Sequence, residues 1–182
     1  MTEDSNQAGK VAIGLVIVFT GHGKGKTTAA LGLLMRARGH GMKAAMLQFI
    51  KHSRSNFGEH RAARLLGLEI TPLGAGFTRT SKDIEKSRAL ALQLWGIARE
   101  KLASGEYEIL ILDELSYPLQ YGWIPVEEVL KVLRSRPWGM HVVITGRDVP
   151  PELIEFADLV TEMHEVKHPL RKGIKAQRGI EF

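Results

Sequence analysis

Residues Val16–Ala30 read VIVFTGHGKGKTTAA. The apolar run at the start of this segment predicts a strand that is buried on both faces of a sheet. The run then breaks at three alternating glycines, Gly21, Gly23 and Gly25, and a pattern typical of a helix begins at Lys26. A strand, a glycine-rich loop and a helix in this order are the context of a phosphate-binding P-loop.

The chemistry of a P-loop explains the residue types in this segment. Glycines can adopt φ > 0, so successive backbone N–H groups can turn towards phosphate oxygens, and the helix N-terminus adds unpaired N–H groups. Lys26 can bridge two phosphates, and the Thr27 hydroxyl can bind a Mg²⁺ (or Mn²⁺) ion shared with them. The usual pattern G-x-x-x-x-G-K-[ST] would place its first glycine at Thr20. We predict a nucleotide-phosphate site formed by Thr20, Gly21, His22, Gly23, Lys24, Gly25, Lys26, Thr27 and Thr28.

The composition is that of a globular protein, with 182 residues, 44% hydrophobic and 25% charged. We predict a single domain over residues 13–182, preceded by a flexible segment over residues 1–12. No apolar run reaches the length of a membrane span and no signal-peptide pattern is present, so we expect a cytoplasmic protein without a membrane partner.

Cysteine content and charge limit the chemistry further. The absence of cysteine excludes disulfides, thiolate metal sites and a cysteine nucleophile. The net charge of +5 favours an anionic ligand, which a nucleotide or a nucleic acid would equally satisfy.

Strand and helix patterns alternate along the rest of the chain, which predicts an α/β fold with a mostly parallel sheet flanked by helices. The predicted strands are Ile13–Phe19, Lys43–Ile50, Leu68–Leu73, Glu108–Leu112, His141–Thr145 and Leu159–Val166. The predicted helices are Lys26–Arg38, Glu59–Leu66, Ser81–Ala103, Pro125–Arg134 and Pro150–Ala157, and residues 167–182 are predicted to form a basic, irregular tail. In the longest helix, Trp95 falls on the apolar face and is predicted to be a core residue.

Four apolar residues followed by Asp113 and Glu114 match a Walker B pattern. In P-loop proteins an acidic residue at this strand end holds the Mg²⁺ of the nucleotide, directly or through water. The carboxyl ends of parallel strands meet at one edge of the sheet, where ligands bind. The residues expected at this crevice are Thr20, Gln48, Asp113 and Thr145, with Arg147 close by.

These residues leave three reaction classes open. An ATPase would use Glu114 to activate water, and a kinase would transfer the γ-phosphoryl group to an acceptor. A transferase could instead attack the ribose carbon and release the phosphates as the leaving group.

Several motifs resemble those of the P-loop type of corrinoid adenosyltransferase, that is, ATP:cob(I)alamin adenosyltransferase. The similarity extends from Val16 to Phe182 and includes the family's loop T-G-x-G-K-G-K-T-T at residues 20–28, in which Thr20 replaces the usual glycine. The other matching motifs are QFIK (48–51), GFT (76–78), LDEL (112–115), VITGR (143–147), AD (157–158), VKHP (166–169), GIKAQ (173–177) and GIE (179–181).

The resemblance implies a P-loop NTPase core of RecA-like type and a specific reaction. The Co(I) of a reduced corrinoid (cobalamin or a precursor) would attack the 5′ carbon of ATP, form a Co–C bond and release triphosphate. Lys26, Thr27 and Glu114 would be the catalytic residues, and Arg147 would bind the substrates. The implied metal ligands are Thr27, Asp113 and Glu114.

The resemblance also implies partners and a corrinoid contact. Phe77 resembles an aromatic residue that crowds the lower face of the corrin. The family's common Phe-Thr-Trp is Phe77-Thr78-Arg79 here, so a second aromatic is missing. Family members are typically homodimers, and a flavodoxin-like protein is the implied electron donor.

Two other classes of function compete with this interpretation. A RecA-like ATPase stimulated by nucleic acid would respond to DNA or RNA with a steep salt dependence. A regulatory module would bind ATP without turnover. The C-terminal motifs favour the transferase, for which no nucleic-acid partner is expected.

Overall fold

The computed structural model describes residues 13–52, 54, 56–76 and 81–181, and within them six strands form one wholly parallel sheet. The strands are β1 (Val16–Thr20), β2 (Ala44–His52), β3 (Glu69–Gly74), β4 (Ile109–Asp113), β5 (His141–Thr145) and β6 (Leu159–Glu162). Their order across the sheet is β3-β2-β4-β5-β1-β6. The α/β prediction is confirmed, and the carboxyl ends of all six strands lie at one edge of the sheet.

Helices flank the sheet. They are α1 (Lys26–Gly39), α2 (Gly58–Leu66), α3 (Ser81–Ala103), α4 (Ser116–Gln120), α5 (Val126–Arg134) and α6 (Pro151–Phe156), followed by a short 3₁₀ helix, Pro169–Lys172. The sequence prediction lacks α4, because its five residues include Pro118 and are too few to show a helical period. Among the described residues, no helix is both long and apolar enough to cross a membrane.

The hydrophobic core has two layers, one on each face of the sheet. Alternate residues of a strand point to opposite faces. Leu112 of β4 therefore packs in a cluster with Leu94 of α3 and Leu133 of α5, whereas Ile111 packs with Leu34 of α1. All five side chains are fully buried. The layer that contains Ile111 and Leu34 holds α1, and with it the loop between β1 and α1, against the sheet.

The apolar face of α3 was predicted from its period, and Trp95 lies on it as expected. The Trp95 side chain is only 3% exposed, and its indole Nε1 donates a hydrogen bond to Glu128 Oε1 of α5 at 2.7 Å. A buried indole normally has such a partner for its N–H group. Trp95 therefore joins α3 to α5 and is a core residue.

The last strand is shorter than predicted. The predicted strand runs to Val166, but β6 ends at Glu162. The chain leaves the sheet there because the backbone of Met163 packs on the glycine-rich loop, where Gly23 N–H donates a hydrogen bond to Met163 O at 2.6 Å. The prediction for the end of this strand was wrong for this reason.

β1 begins three residues later than predicted, because side chains bind the chain just before it. Arg136 Nη2 donates to Gly14 O at 2.7 Å, and Leu15 N–H donates to His141 Nδ1 at 3.1 Å. Gly14 also lies directly against the backbone before β5: a Cβ atom at this position would be 2.2 Å from Met140 O. This close approach allows β1 and β5 to pair.

We predict that Gly14→Ala destabilises the fold, whereas Gly32→Ala stabilises it. The Cβ at position 14 would push apart two paired strands, and overpacking of this kind costs about 1–3 kcal/mol. In α1 a Cβ on Gly32 meets nothing within 4 Å, and alanine in a helix is favoured over glycine by about 0.5–1 kcal/mol. Urea denaturation of both variants measures the difference. Equal changes in the free energy of unfolding of the two variants would contradict the close contact at Gly14.

Candidate active site

A cavity of about 450 Å³ lies at the carboxyl edge of the sheet. Its lining residues come from the glycine-rich loop, the start of α1, the ends of β2 and β4, the start of α2, the loop after β5 and the C-terminal segment. They are Gly23, Lys24, Gly25, Lys26, Thr27, Thr28, Leu31, Lys51, Gly58, Glu59, Glu114, Arg147, Gly179, Ile180 and Glu181. A slightly larger cavity, of about 480 Å³, lies between α3 and α5 and contains none of the predicted site residues. The chemistry-bearing residues therefore assign the site to the first cavity.

The glycine-rich loop has the conformation expected of a P-loop. Gly21 and Gly25 have φ of 88° and 113°, values that glycine adopts at little cost. The Lys26 ammonium donates hydrogen bonds to Gly21 O at 2.6 Å and to Gly23 O at 2.8 Å. Lys26 is thus held inside the loop, where a phosphate group would lie between the loop N–H groups and the ammonium.

Burial and neighbouring charges act on Lys26 in opposite directions. Desolvation lowers the pKa of the Lys26 ammonium below its ordinary value, whereas the nearby Glu114 carboxyl group raises it. Arg147 adds to the lowering. A partly desolvated ammonium gains more from an anionic ligand than a hydrated one.

Asp113 is the centre of a buried hydrogen-bond network. The hydroxyl groups of Thr27 and Thr145 both donate to Asp113 Oδ1, at 2.9 and 2.7 Å. Gln48 Nε2 donates to Asp113 Oδ2 at 3.1 Å. The sheet register explains this arrangement, because Gln48 of β2 lies directly beside Asp113 of β4. Three of the residues expected at one crevice, Gln48, Asp113 and Thr145, are therefore in contact.

Glu114 follows Asp113 with an unusual backbone conformation. Its φ is 61°, which is uncommon for a residue other than glycine and is often found at functional sites. The Glu114 N–H group donates to Thr145 Oγ1 at 2.9 Å. Burial, together with the neighbouring Asp113 carboxyl group, raises the pKa of Glu114 above the ordinary value of a glutamate.

The remaining predicted residues lie around the rim of the cavity, on the outer side of the glycine-rich loop, or outside the described residues. Arg147 and Thr28 line the cavity. His22 lies on the outer side of the loop, where its Nε2 is 3.1 Å from Asp148 Oδ1 and both side chains are largely exposed. The carbonyl of Thr20 accepts a hydrogen bond from Met163 N–H at 2.9 Å. The predicted corrin contact, Phe77, lies outside the described residues.

The structure adds site residues to which the sequence prediction assigned no role. Lys51 and Glu59 form an ion pair at the cavity. Glu181 Oε1 is 3.1 Å from Lys24 Nζ, and Glu181 Oε2 accepts a hydrogen bond from Gln177 N–H at 2.6 Å. Lys51 and Glu181 belong to the QFIK and GIE motifs of the resemblance, which was the available signal for both.

Comparisons with known proteins show the family of this chain. The family model of the ATP:corrinoid adenosyltransferases BtuR/CobO/CobP matches residues 12–182. The chain belongs to this family. It is 42% identical to the corrinoid adenosyltransferase of Escherichia coli K12 over 169 residues, which are 93% of this chain and 86% of the relative. It is similarly 42% identical to the corrinoid adenosyltransferase of Pseudomonas aeruginosa over 93% of this chain and 84% of the relative.

Two further comparisons extend this result. The corrinoid adenosyltransferase CobA of Salmonella typhimurium LT2 is 40% identical over 93% of this chain and 86% of its own length. The flagellar accessory protein FlaH from Methanocaldococcus jannaschii has a TM-score of 0.55 at 12% identity, over 85% of this chain and 73% of that chain, which shows a shared fold alone. Of the three reaction classes that the residues left open, membership of the corrinoid adenosyltransferases selects the transferase.

We predict that Glu114→Gln raises the thermal stability of the ligand-free protein at neutral pH. Because the folded-state pKa of Glu114 is raised, the folded state binds more protons than the unfolded state above the ordinary value of 4.5, and stability falls as the pH rises through this window. A glutamine has no charge to bury, so the variant should melt at a higher temperature than the wild type. The gain should disappear below pH 4.5. Differential scanning fluorimetry across this pH range measures it.

Glu181→Gln is the matched control for this prediction. The Gln177 N–H group and Lys24 lower the pKa of the Glu181 carboxyl group, so its contribution to stability is present at neutral pH and is lost as the pH falls through the lowered value. This variant should therefore melt at a lower temperature than the wild type. If the melting temperatures of Glu114→Gln and Glu181→Gln changed in the same direction, the pKa shifts assigned to these two groups would be contradicted.

Proposed function

We propose that this chain transfers the 5′-deoxyadenosyl group of ATP to the Co(I) of a reduced cobalamin or cobalamin precursor and releases inorganic triphosphate. The observation that carries this proposal is the group of cations around the P-loop cavity: Lys24, Lys26, Lys51 and Arg147. A triphosphate leaving group carries more charge than the phosphate released in hydrolysis. Cations already placed where that charge develops stabilise the transition state without reorganisation.

The reaction needs no base from the protein. Co(I) of the corrinoid substrate is the nucleophile, and its electron pair forms the new bond to the 5′ carbon. The bond between this carbon and the α-phosphate oxygen breaks, and the triphosphate leaves with the electron pair of that bond. The protein therefore has to position two substrates and stabilise the departing charge, and the substrates supply the reactive atoms.

We propose that Thr27 and Glu114 hold the Mg²⁺ (or Mn²⁺) ion of the nucleotide. Among the described residues no group of three or more His, Asp and Glu side chains could hold a metal alone, so phosphate oxygens would complete the ligand set. The Thr27 hydroxyl donates its proton to Asp113, which leaves its oxygen lone pairs for a cation. Glu114 lines the cavity beside it. When bound, the ion would supply positive charge that stabilises the triphosphate.

Asp113 suits a supporting role better than direct coordination. It is only 1% exposed, and both of its carboxylate oxygens already accept hydrogen bonds from protein groups. A carboxylate in this position orients the Thr27 hydroxyl and can accept a hydrogen bond from a metal-bound water. We therefore propose that Asp113 acts on the metal through Thr27, and that Glu114 is the carboxylate ligand.

The family resemblance supports four further proposals. We propose that Phe77 contacts the lower face of the corrin and that the chain forms a homodimer. A flavodoxin-like protein would supply the electron that reduces Co(II) to Co(I). The cytoplasm is the proposed location.

We predict that the wild-type protein, mixed anaerobically with MgATP and chemically reduced cob(I)alamin, forms a light-sensitive alkylcobalamin and triphosphate in equal amounts. Lys26→Ala should slow both products by about 10²–10³-fold, as expected for the loss of one charge-stabilising donor. Absorption spectroscopy follows the corrinoid, and ion chromatography separates triphosphate from orthophosphate.

Lys43→Ala is the control for this experiment. Lys43 is an exposed lysine at the amino end of β2, paired with Glu106, and its loss should leave the rate unchanged. Formation of ADP and orthophosphate with the corrinoid unchanged would contradict the proposal. That outcome would support the alternative ATPase, for which stimulation by DNA or RNA is the next measurement.

A further inference from the structure

His60 is a buried polar residue outside every predicted site. It lies in the first turns of α2 and is only 5% exposed. Its Nε2 atom is 2.7 Å from Oε1 of Gln48, a side chain that is fully buried. Gln48 in turn contacts Asp113. His60 is thus connected to the centre of the candidate active site by two buried hydrogen bonds.

The direction of each of these hydrogen bonds follows from the one that Phe57 makes with His60. Phe57 N–H donates to His60 Nδ1 at 3.3 Å, so Nδ1 is an acceptor and the ring proton is on Nε2. His60 Nε2–H then donates to Gln48 Oε1, which leaves the Gln48 amide nitrogen facing Asp113 Oδ2. The histidine and the carboxylate therefore require the same orientation of the Gln48 amide and hold it from both ends.

We infer that His60 is a positioning residue for the metal site. It fixes the Gln48 amide, the amide fixes Asp113, and Asp113 orients the Thr27 hydroxyl whose oxygen faces the cavity. This inference rests on the proposed function, in which Thr27 binds the metal of the nucleotide.

Removing the histidine donor affects more than one hydrogen bond. Gln48 Oε1 would remain buried without a donor. The amide would no longer be held from both ends, so its hydrogen bond to Asp113 Oδ2 would weaken and the carboxylate could turn. Thr27 would then lose the acceptor that holds its hydroxyl proton away from the cavity.

The start of α2 also borders the cavity directly. Glu59, next to His60, forms an ion pair with Lys51, and both side chains line the cavity. The first turn of α2 therefore acts on the proposed metal ligand Thr27 through His60, and it lines the cavity through Glu59. This placement explains why a buried histidine on a helix outside the P-loop acts on nucleotide-bound metal.

The test is Mn²⁺ binding by His60→Phe, which keeps a ring of similar size and removes the donor. Without corrinoid no transfer occurs, so Mn²⁺ held by the protein–ATP complex can be measured by electron paramagnetic resonance against a blank with ATP alone. The dissociation constant should rise by about tenfold or more, the usual effect of losing a group that supports a metal ligand. ATP binding without metal should be nearly unchanged. His60→Gln, which keeps an N–H donor, should recover most of the affinity.

His141→Phe is the matched control, because it removes a structural hydrogen bond at the opposite end of the sheet. His141 Nδ1 accepts from Leu15 N–H at 3.1 Å, so this variant should melt earlier than the wild type while binding Mn²⁺ normally. Thr27→Val should lose Mn²⁺ binding through the proposed ligand itself. If His60→Phe does not fold, Gln48→Met removes the same hydrogen bond from its other side, together with the one to Asp113, and should weaken Mn²⁺ binding at least as much.

Separate outcomes overturn the inference and the proposed function. Normal Mn²⁺ affinity in His60→Phe or Gln48→Met, with Thr27→Val defective, would overturn the role of His60 alone. Normal Mn²⁺ affinity in Thr27→Val would overturn the proposed metal site itself. In the ligand-free protein, ¹⁵N spectra should show the His60 proton on Nε2; a proton on Nδ1 would also overturn the inference.

Discussion

The carboxylate of Asp113 is the contact on which the geometry of the site depends. It accepts hydrogen bonds from residues of three different elements: Gln48 of β2, Thr145 of β5 and Thr27 of α1. A buried carboxylate is tolerated only when such donors satisfy it. The strands, the first turn of α1 and the loop that precedes this helix are therefore held in one mutual position. Through Thr145, the same network also fixes the backbone of Glu114.

The three lysines of the cavity have partners before any ligand binds. Lys24 is paired with Glu181 and Lys51 with Glu59, while the Lys26 ammonium is bound by carbonyl groups of its own loop. An anionic substrate therefore exchanges these contacts for new ones, and the lysines meet the triphosphate as partly desolvated charges. Such charges interact more strongly than hydrated ones, because less solvent screens them.

The chain after β6 completes the site from the other side. The backbone of Met163 and His164 lies so close to Gly21 and Gly23 that a Cβ on either glycine would be within 2.9 Å of it. These glycines are thus required by packing as well as by phosphate binding. Further along, Glu181 reaches Lys24. The GIE motif at residues 179–181 therefore lies beside the P-loop, although more than 130 residues separate the two in the sequence.

The alternation of strands and helices was predictable because apolar periodicity is a local property. The same holds for the P-loop, whose glycine spacing directly reflects a backbone requirement, and for Asp113 and Glu114 at a strand end. In a parallel sheet the carboxyl ends must meet, so the proximity of Gln48, Asp113 and Thr145 followed from their positions in the strands. The motifs shared with a known family then indicated the reaction.

The tertiary structure alone decided the remaining features. The end of β6 depends on a contact with the glycine-rich loop. The ion pairs Lys51–Glu59 and Lys24–Glu181 join segments whose approach no local sequence pattern encodes. His60 gave no signal, because a histidine in a short helix has the same appearance in sequence whether it faces solvent or a buried amide. Sequence therefore determined which groups take part in the chemistry. The packing of distant segments, driven by burial and by the need to satisfy buried polar atoms, decided how they are oriented.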